Sequence, residues 1–174
     1  MDYNNNMEDK FKLYKDYKTI LSVNALIWCN GKVLLLKRAE TKSIDPGVYS
    51  GIGGKVEPGE SVYDALLREI EEETGLKEFE KIKAYSVTQH PYPPTGCEWI
   101  NIYFNVTIKN MVQIPESSEG TFDWIDPKDV DSLEMVNDLK EYIKILSKNP
   151  EAFILGFFNN DSSGNPTEKT VKIL

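Results

Sequence analysis

The chain has 174 residues, of which 40% are hydrophobic and 28% charged, and its formal net charge is −8. This length suits one domain with its own apolar core, and the composition is that of an ordinary soluble globular protein. The negative balance disfavours binding to long nucleic acids or acidic membranes, although a free nucleotide remains compatible because a metal ion can screen its phosphates.

The N-terminal residues 1–17 are polar and mixed in charge, so they predict a frayed arm or short edge element rather than a signal peptide. No run approaches the ~20 apolar residues that a membrane-spanning helix needs. Cys29 and Cys97 need no pairing, because a core of this size requires no disulfide. We therefore expect a protein of the reducing cytoplasm, with no membrane partner.

Strand patterns open the predicted domain. Residues 19–29 form an apolar run, Asn30 and Gly31 make a hairpin turn, and residues 33–36 return as a second strand followed by Arg38. A loop with turn chemistry then leads to a glycine-rich segment at residues 48–55. Glycines there imply positive φ angles or a close approach of the backbone to another group.

Residues 54–76, GKVEPGESVYDALLREIEEETGL, predict one helix with clear ends. Ser61 can cap a helix that runs to about Thr74, and Gly75 is placed to terminate it. At ~100° per residue, three acids share one arc of this helix about 100° wide. These acids are Glu69, Glu72 and Glu73.

The same arc carries Val62, Ala65 and Leu66, so the carboxylates continue the apolar stripe that faces the interior. Like charges at this spacing cost roughly 0.2–0.5 kcal/mol per pair even on an exposed helix, and turning them inward adds desolvation. A positive group must therefore compensate. Several hard oxygen ligands without histidine fit Mg²⁺ or Mn²⁺ better than zinc.

The rest of the chain predicts strands at 81–88, 98–108 and 121–125, a helix at 133–146, and a hairpin from residue 153 onward. The single histidine, at position 90, falls in the predicted loop between the first two of these strands. Strands, one helix, more strands and a second helix suit a mixed sheet covered on both faces by helices.

The spacing G-x5-E-x7-R-E-U-x-E-E-x-G-U, with U an aliphatic residue, is met at every position and resembles the box of the Nudix hydrolases. The matching positions are Gly54, Glu60, Arg68, Glu69, Ile70, Glu72, Glu73, Gly75 and Leu76. The resemblance implies an α/β/α sandwich of the mixed α/β class, with the box as a loop–helix–loop. It predicts a Nudix domain over 18–149, preceded by the arm and followed by a hairpin extension at 150–174.

The resemblance also implies roles within the box. Metal ligands are expected at Glu69, Glu72, Glu73 and the backbone carbonyl of Gly53. Glu60 and Arg68 are expected to hold the site together, and Gly54 and Gly75 to bound it. Either Glu69 or a carboxylate outside the box accepts the proton of the attacking water, and both alternatives stay open.

The strongest candidate outside the box is Glu119, which precedes the predicted strand that contains Trp124. Members that act on oxidised purine nucleotides place a metal-binding glutamate just before such a strand. The resemblance therefore implies a metal-binding and catalytic role for Glu119. An ordinary loop acid is the alternative, and Glu116 lies only three residues away.

The segment before the box resembles the entry segment of MutT-like nucleoside triphosphatases, where aromatic-Asn-Gly-x-Gly-Gly-Lys is usual. This chain has Tyr49 at the aromatic position and Ser50 in place of the asparagine. A hydroxyl has less reach than an amide, so base specificity stays open. Arg38 and Lys55 are candidates to pair with phosphates, and Asp138 to face the purine edge. Plain surface charge is the alternative for these three.

Together these features predict hydrolysis of a nucleoside triphosphate, with 8-oxo-dGTP as the leading candidate, to a nucleoside monophosphate and pyrophosphate. The cofactor is expected to be Mg²⁺ or Mn²⁺. A pyrophosphatase for ADP-ribose or a nucleotide sugar is one alternative, and a regulatory Nudix-like module that binds nucleotides is another. Whether the C-terminal hairpin closes the pocket or pairs two copies into a homodimer stays open.

Overall fold

The computed structural model describes residues 18–43, 45–92, 97–136, 139–161 and 166–174. Its strands are β1 Lys18–Cys29, β2 Lys32–Arg38, β3 Tyr49–Ser50, β4 Ile52–Lys55, β5 Lys81–Tyr92, β6 Cys97–Thr107, β7 Gly120–Ile125, β8 Ile154–Asn160 and β9 Pro166–Ile173. The helices are α1 Val62–Thr74 and α2 Leu139–Lys148, with a short 3-10 turn at Val130–Ser132. The arm predicted at residues 1–17 lies outside the described residues.

The strands form one mixed sheet in the order β3-β2-β1-β6-β5-β8-β9, with β4 paired to β1 and β7 paired to β2. Strand β1 is the centre, because it runs parallel to β6 on one side and antiparallel to two strands on the other. There β2 pairs with residues 27–29 and β4 with residues 22–25. The chain leaves the sheet after β2 and re-enters it through β3 and β4, and β4 contains the start of the box at Gly54.

Alternating side chains of β1 divide the interior into two cores. Ala25 and Ile27 pack with Leu66 and Ile70 of α1, whereas Leu26 packs on the opposite face with residues of α2. Each helix thus covers one face of the sheet. The predicted fold class, a mixed sheet between helices, is confirmed.

The ends of α1 follow from local chemistry. The Ser61 hydroxyl accepts a hydrogen bond from the backbone N–H of Asp64, and Gly75 adopts φ 74° while its N–H bonds the carbonyl of Glu71. These are the cap and the left-handed terminus that the sequence predicts. Because both ends are fixed locally, the helix places its acids at defined angles.

The second helix begins later than predicted. Residues 133–136 are not helical, because their backbone is bonded to β3 instead: the Tyr49 N–H donates to Glu134 O and the Val136 N–H donates to Tyr49 O, at 2.8 and 2.9 Å. This pairing is between residues distant in the chain, so the local helical pattern could not reveal it.

The C-terminal hairpin joins the same sheet. Strand β8 pairs parallel with β5, and β9 pairs antiparallel with β8. In the part of the chain that is described, neither helix has the length and apolar character to cross a membrane. Neither Cys29 nor Cys97 forms a disulfide bond among the described residues.

Candidate active site

A cleft of about 370 Å³ opens beside α1, and we call it the carboxylate cleft. Its lining residues are Gly53, Glu69, Glu72, Glu73, Ser117, Ser118 and Glu119. Three of the glutamates come from α1 and the fourth from the loop before β7. The structure therefore brings together the four acids that the sequence singles out, although 46 positions separate Glu73 from Glu119 along the chain.

The three helix acids are not equally enclosed. The Glu69 side chain is 14% exposed and lies against Gly54, where a Cβ atom would stand 2.4 Å from the carboxylate. The Glu72 side chain is 60% exposed and stands at the rim. Glu72 lies about 100° from Glu73 around the helix, on the edge of the arc away from the buried Leu66. The prediction that all three acids face inward is thus wrong for Glu72.

Arg68 ties the acids of the box together. Its Nε and Nη2 donate to the two carboxylate oxygens of Glu60 at 2.8 and 3.0 Å, which is a bidentate pair. Its Nη1 donates to Glu69 at 2.7 Å and to Glu72 at 3.2 Å, and Nη2 also donates to the Lys55 carbonyl at 3.1 Å. The guanidinium therefore links the loop before α1 to the helix and orients two cleft carboxylates.

The pKa values follow from this pairing. Hydrogen bonds from Arg68 and, after them, from the Glu57 N–H lower the pKa of Glu60 to about 2. The carboxylates of Glu60 and then Glu69 raise the pKa of Arg68. Glu60 is therefore charged at every pH at which the protein would act, which suits a structural ion pair.

Glu73 is the cleft acid in the least favourable surroundings for a charge. The Gly53 N–H hydrogen-bonds its carboxylate, but its Oε2 atom is buried with no hydrogen-bond partner among the described residues. Burial first, and then the charges of Glu69 and Glu119, raise the pKa of Glu73 to about 8, while Arg38 acts in the opposite direction. A buried, unpaired carboxylate oxygen is costly unless it is protonated or meets a cation.

This gives a prediction for the metal-free protein. Folded Glu73 keeps its proton up to about pH 8, whereas glutamate in an unfolded chain loses it near the ordinary value of 4.5. The folded state thus binds more protons between these values, so the free energy of unfolding should fall as pH rises through that window, by up to about 5 kcal/mol. Urea denaturation in a chelator should show this slope, and the Glu73→Gln variant should have a shallower one. Equal slopes in both proteins would contradict the prediction.

Glu119 reaches the cleft because of the glycine after it. Gly120 has φ 143°, and a Cβ atom there would stand 2.0 Å from the carbonyl oxygen of Lys37, so the loop closes tightly on β2. The Glu119 carbonyl accepts from the Ala39 N–H at 2.8 Å, and its carboxylate pairs with Lys42 at 2.6 Å. Lys42 was not predicted. Its only signal in the sequence is a basic side chain in the loop after β2.

Within the described ranges, no three Asp, Glu, His or Cys side chains converge as a complete metal-binding group. The ion pairs account for this, because Glu69 and Glu72 direct an oxygen at Arg68 while Glu119 directs one at Lys42. The donors nevertheless fit a hard divalent cation: all are carboxylate oxygens, and one of them is the unpartnered buried Oε2 of Glu73. Rotation of side chains away from Arg68 and Lys42 would let them converge.

The two residues predicted to bind phosphates, Arg38 and Lys55, lie in different places in the structure. The charge of Arg38 acts on Glu73, so this side chain belongs to the surroundings of the cleft. Lys55 instead places its Nζ atom 5.5 Å from the ring centroid of Trp99, and it is not among the residues that line the cleft. The neighbouring Gly54 faces Glu69, and successive side chains of a strand leave on opposite faces, so Lys55 extends from the other face.

Two of the three residues predicted to lie near the base, Tyr49 and Ser50, are among the described residues. The Tyr49 hydroxyl donates to Asp123 at 2.8 Å, and burial, reinforced by Asp123, raises the pKa of Tyr49 to about 12. Ser50 is buried, and its hydroxyl oxygen has no hydrogen-bond partner among the described residues. Asp138 lies outside the described residues.

A small cavity of about 40 Å³ lies on the α2 face of the sheet, and we call it the aromatic pocket. It is lined by Asn24, Gly51, His90, Tyr103, Val136, Leu139, Tyr142 and Phe158. The ring of His90 stacks on Phe158 of the C-terminal hairpin, with centroids 4.7 Å apart and planes 8° from parallel. Gly51 precedes Gly53 of the carboxylate cleft by two residues, or about 7 Å of extended chain.

The prediction of a loop at His90 is therefore wrong. β5 continues to Tyr92 because His90 pairs with Trp99 of β6. The Thr88 hydroxyl and His90 Nε2 are 2.8 Å apart on the same face. The alternation of these two side chains is the signal that could have extended the strand, but the proline after His90 masked it.

Comparison with known proteins gives one family. A family model described as NUDIX domain matches residues 18–146. The uncharacterized Nudix hydrolase YvcI of Bacillus subtilis is 29% identical over 116 residues, which cover 64% of this chain and 69% of that protein. The nucleoside triphosphatase NudI of Escherichia fergusonii is 50% identical over 52 residues, which cover 30% of this chain but only 37% of that protein.

Among solved structures, the mutator MutT protein from Bacillus halodurans superposes with a TM-score of 0.72 and 22% sequence identity. The superposition covers 88% of this chain and 97% of the other. At this identity the likeness concerns the fold, and it extends well beyond the helix that carries the acids.

Proposed function

Because the chain belongs to the Nudix family of hydrolases, we propose that it hydrolyses a nucleoside triphosphate to a nucleoside monophosphate and pyrophosphate, with Mg²⁺ or Mn²⁺ as cofactor. One observation carries this proposal: four carboxylates line a single cleft, and one of them, Glu73, has a buried oxygen without a partner among the described residues. The oxidised purine nucleotide 8-oxo-dGTP is the leading substrate candidate. It is supported by the sequence likeness of residues 49–55 and 119–124 to MutT-like enzymes. We also propose a cytoplasmic location, which is compatible with the absence of a disulfide bond at Cys29 and Cys97 among the described residues.

The residues in and around the cleft have different roles in this proposal. Glu69, Glu72, Glu73 and Glu119 would hold the cation, with the Gly53 carbonyl as a further ligand. A divalent cation in such a site neutralises phosphate charge and lowers the pKa of bound water. Arg68 keeps Glu69 and Glu72 oriented while the substrate exchanges. Arg38 adds positive charge beside Glu73 and would face the phosphates.

The base of the nucleotide belongs in the aromatic pocket. Gly51 of this pocket and Gly53 of the carboxylate cleft are two residues apart in one short segment, which supports placing the phosphates in the cleft and the base in the pocket. A cavity of about 40 Å³ has room for only a few waters. Entry of a base therefore requires side chains that line the pocket, such as the stacked His90 and Phe158, to move.

The role of Glu119 can be tested against its neighbour. Glu119→Gln should lower kcat by about 10²-fold, because it removes a cleft carboxylate that could accept the proton of the attacking water. Glu116 is exposed and does not line the cleft, so Glu116→Gln is the matched control and should leave kcat unchanged. Steady-state kinetics of both variants decide the matter. An equal, small effect of the two changes would assign the role to another carboxylate such as Glu69.

The reaction itself is tested with a substrate panel. Oxidised and unmodified deoxynucleoside triphosphates, ADP-ribose and dinucleoside polyphosphates should be assayed with Mg²⁺ and with Mn²⁺, with the products identified. We expect a triphosphate to give a monophosphate and pyrophosphate. Preference for ADP-ribose over every triphosphate would overturn the proposed substrate class, and tight nucleotide binding without turnover of any compound would favour the regulatory module.

A further inference from the structure

A third cavity, of about 260 Å³, lies on the α2 face, separate from both sites above. It is lined by Trp28 of β1, two lysines of β5, Asn105 of β6 and Leu146 near the end of α2, among others. Trp28 lies four residues beyond Asn24 of the aromatic pocket, or about 13 Å along β1. We call it the tryptophan cavity. None of the residues proposed for catalysis lines it.

The aromatic wall of this cavity is fixed in orientation. The indole Nε1 of Trp28 donates to the carboxamide oxygen of Asn105 at 2.9 Å. This bond satisfies the polar edge of the ring and holds its plane, which leaves the ring faces as apolar contact surface. Leu146 and Pro150 add apolar surface, and the hydroxyl of Thr107 adds a polar group.

The charged side of the cavity is basic. Lys81 and Lys83 extend from the same face of β5, and none of the described residues that line the cavity is acidic. This is notable charge segregation in a chain whose net charge is −8. The two ammonium groups thus mark a local site for an anion.

The carboxylate of Glu151 already pairs with both lysines. One oxygen of Glu151 lies 2.9 Å from Lys81 Nζ and the other lies 2.6 Å from Lys83 Nζ. The Glu151 side chain is 65% exposed, and exposed ion pairs contribute little to stability. An incoming anionic group would compete with this carboxylate for the two ammonium groups.

We propose that the tryptophan cavity binds a small aromatic anion. Its ring lies against Trp28 and Leu146, and its carboxylate or phosphate replaces the carboxylate of Glu151 on Lys81 and Lys83. The volume is just below the usual range of roughly 300–1,000 Å³ for ligand pockets, which limits the ligand to about one ring system. The site is independent of the hydrolytic reaction.

The test uses the full chain and follows the indole N–H of Trp28 by ¹⁵N NMR, assigned with Trp28→Phe. Benzoate and phenyl phosphate, the two probes, distinguish a carboxylate from a phosphate ligand, and benzyl alcohol is the neutral control. We expect saturable shifts with at least one anion. Lys81→Gln and Lys83→Gln should each weaken binding about tenfold, and Glu151→Gln should strengthen it several-fold.

The matched control is Lys144→Gln, which removes a lysine that pairs with Asp131 outside the cavity and should leave the affinity unchanged. Two results would overturn the proposal. One is benzyl alcohol binding as tightly as the anions. The other is a Trp28 signal that neither anion shifts at about 10 mM, both in the parent protein and in Glu151→Gln. Binding would then be too weak for a ligand site.

Discussion

Replacing Glu73 with glutamine is expected to lower kcat by about 10³-fold or more, because it removes the one cleft carboxylate whose buried oxygen has no partner within the described chain. The amide keeps the size of the side chain but cannot carry the negative charge that a divalent cation requires. Steady-state kinetics at saturating Mg²⁺ would measure the loss.

The control is Glu71→Gln, two residues away in the same helix. Glu71 is exposed and pairs with Lys77 at 2.6 Å rather than lining the cleft, so this variant should retain the parent kcat. Glu73→Gln should also be at least as stable as the parent near pH 8 in a chelator, because a neutral amide avoids the burial of a charge. A Glu73→Gln enzyme with the parent kcat would contradict the proposed metal site.

The second large effect is expected from Gly53→Ala. Gly53 has φ 153°, and a Cβ atom there would stand 2.1 Å from the carbonyl oxygen of Val23 and 2.9 Å from Asn24 Cα. These are backbone atoms of the central strand, so they cannot move aside cheaply. We expect the free energy of unfolding to fall by about 3 kcal/mol or more, as strain and overpacking combine. The N–H that bonds Glu73 would be displaced as well, so kcat should also fall.

Gly59→Ala provides the comparison. Gly59 also has a positive φ, 85°, but a Cβ atom there meets nothing within 4 Å. Its substitution should cost only about 1 kcal/mol, from the backbone conformation alone, and should leave kcat unchanged. Denaturation curves of the two variants separate the effect of steric contact from that of φ. Similar losses in both would show that the approach of Gly53 to β1 contributes little.

What the sequence predicts well is what local chemistry decides. Ser61 and Gly75 fix the ends of α1, and the helical period then brings Glu69 and Glu73 to the cleft. The likeness of residues 119–124 to a motif before a strand predicts Glu119 as a site residue, and the structure brings it to the same cleft. Arg68 pairs with Glu60 and Glu69, and a supporting role for Arg68 and Glu60 stays a prediction.

What the sequence does not reveal depends on partners distant in the chain. Lys55 leaves the cleft because the strand alternates and Gly54 takes the inner face. His90 belongs to a strand because β6 pairs with it, and its stacking partner Phe158 lies in a hairpin beyond the region that the family model matches. The pairing of His90 with β6 and its stacking on Phe158 cannot be read from the sequence around His90.

The most direct test of the account is a crystal structure with Mg²⁺ and a non-hydrolysable nucleoside triphosphate analogue. We predict a cation bound by carboxylate oxygens of Glu69 and Glu73, bridging to the phosphates, with Arg68 still paired to Glu60. A cation and triphosphate bound elsewhere, with the carboxylates of the cleft still turned to Arg68 and Lys42, would contradict the assignment of this cleft as the site of hydrolysis.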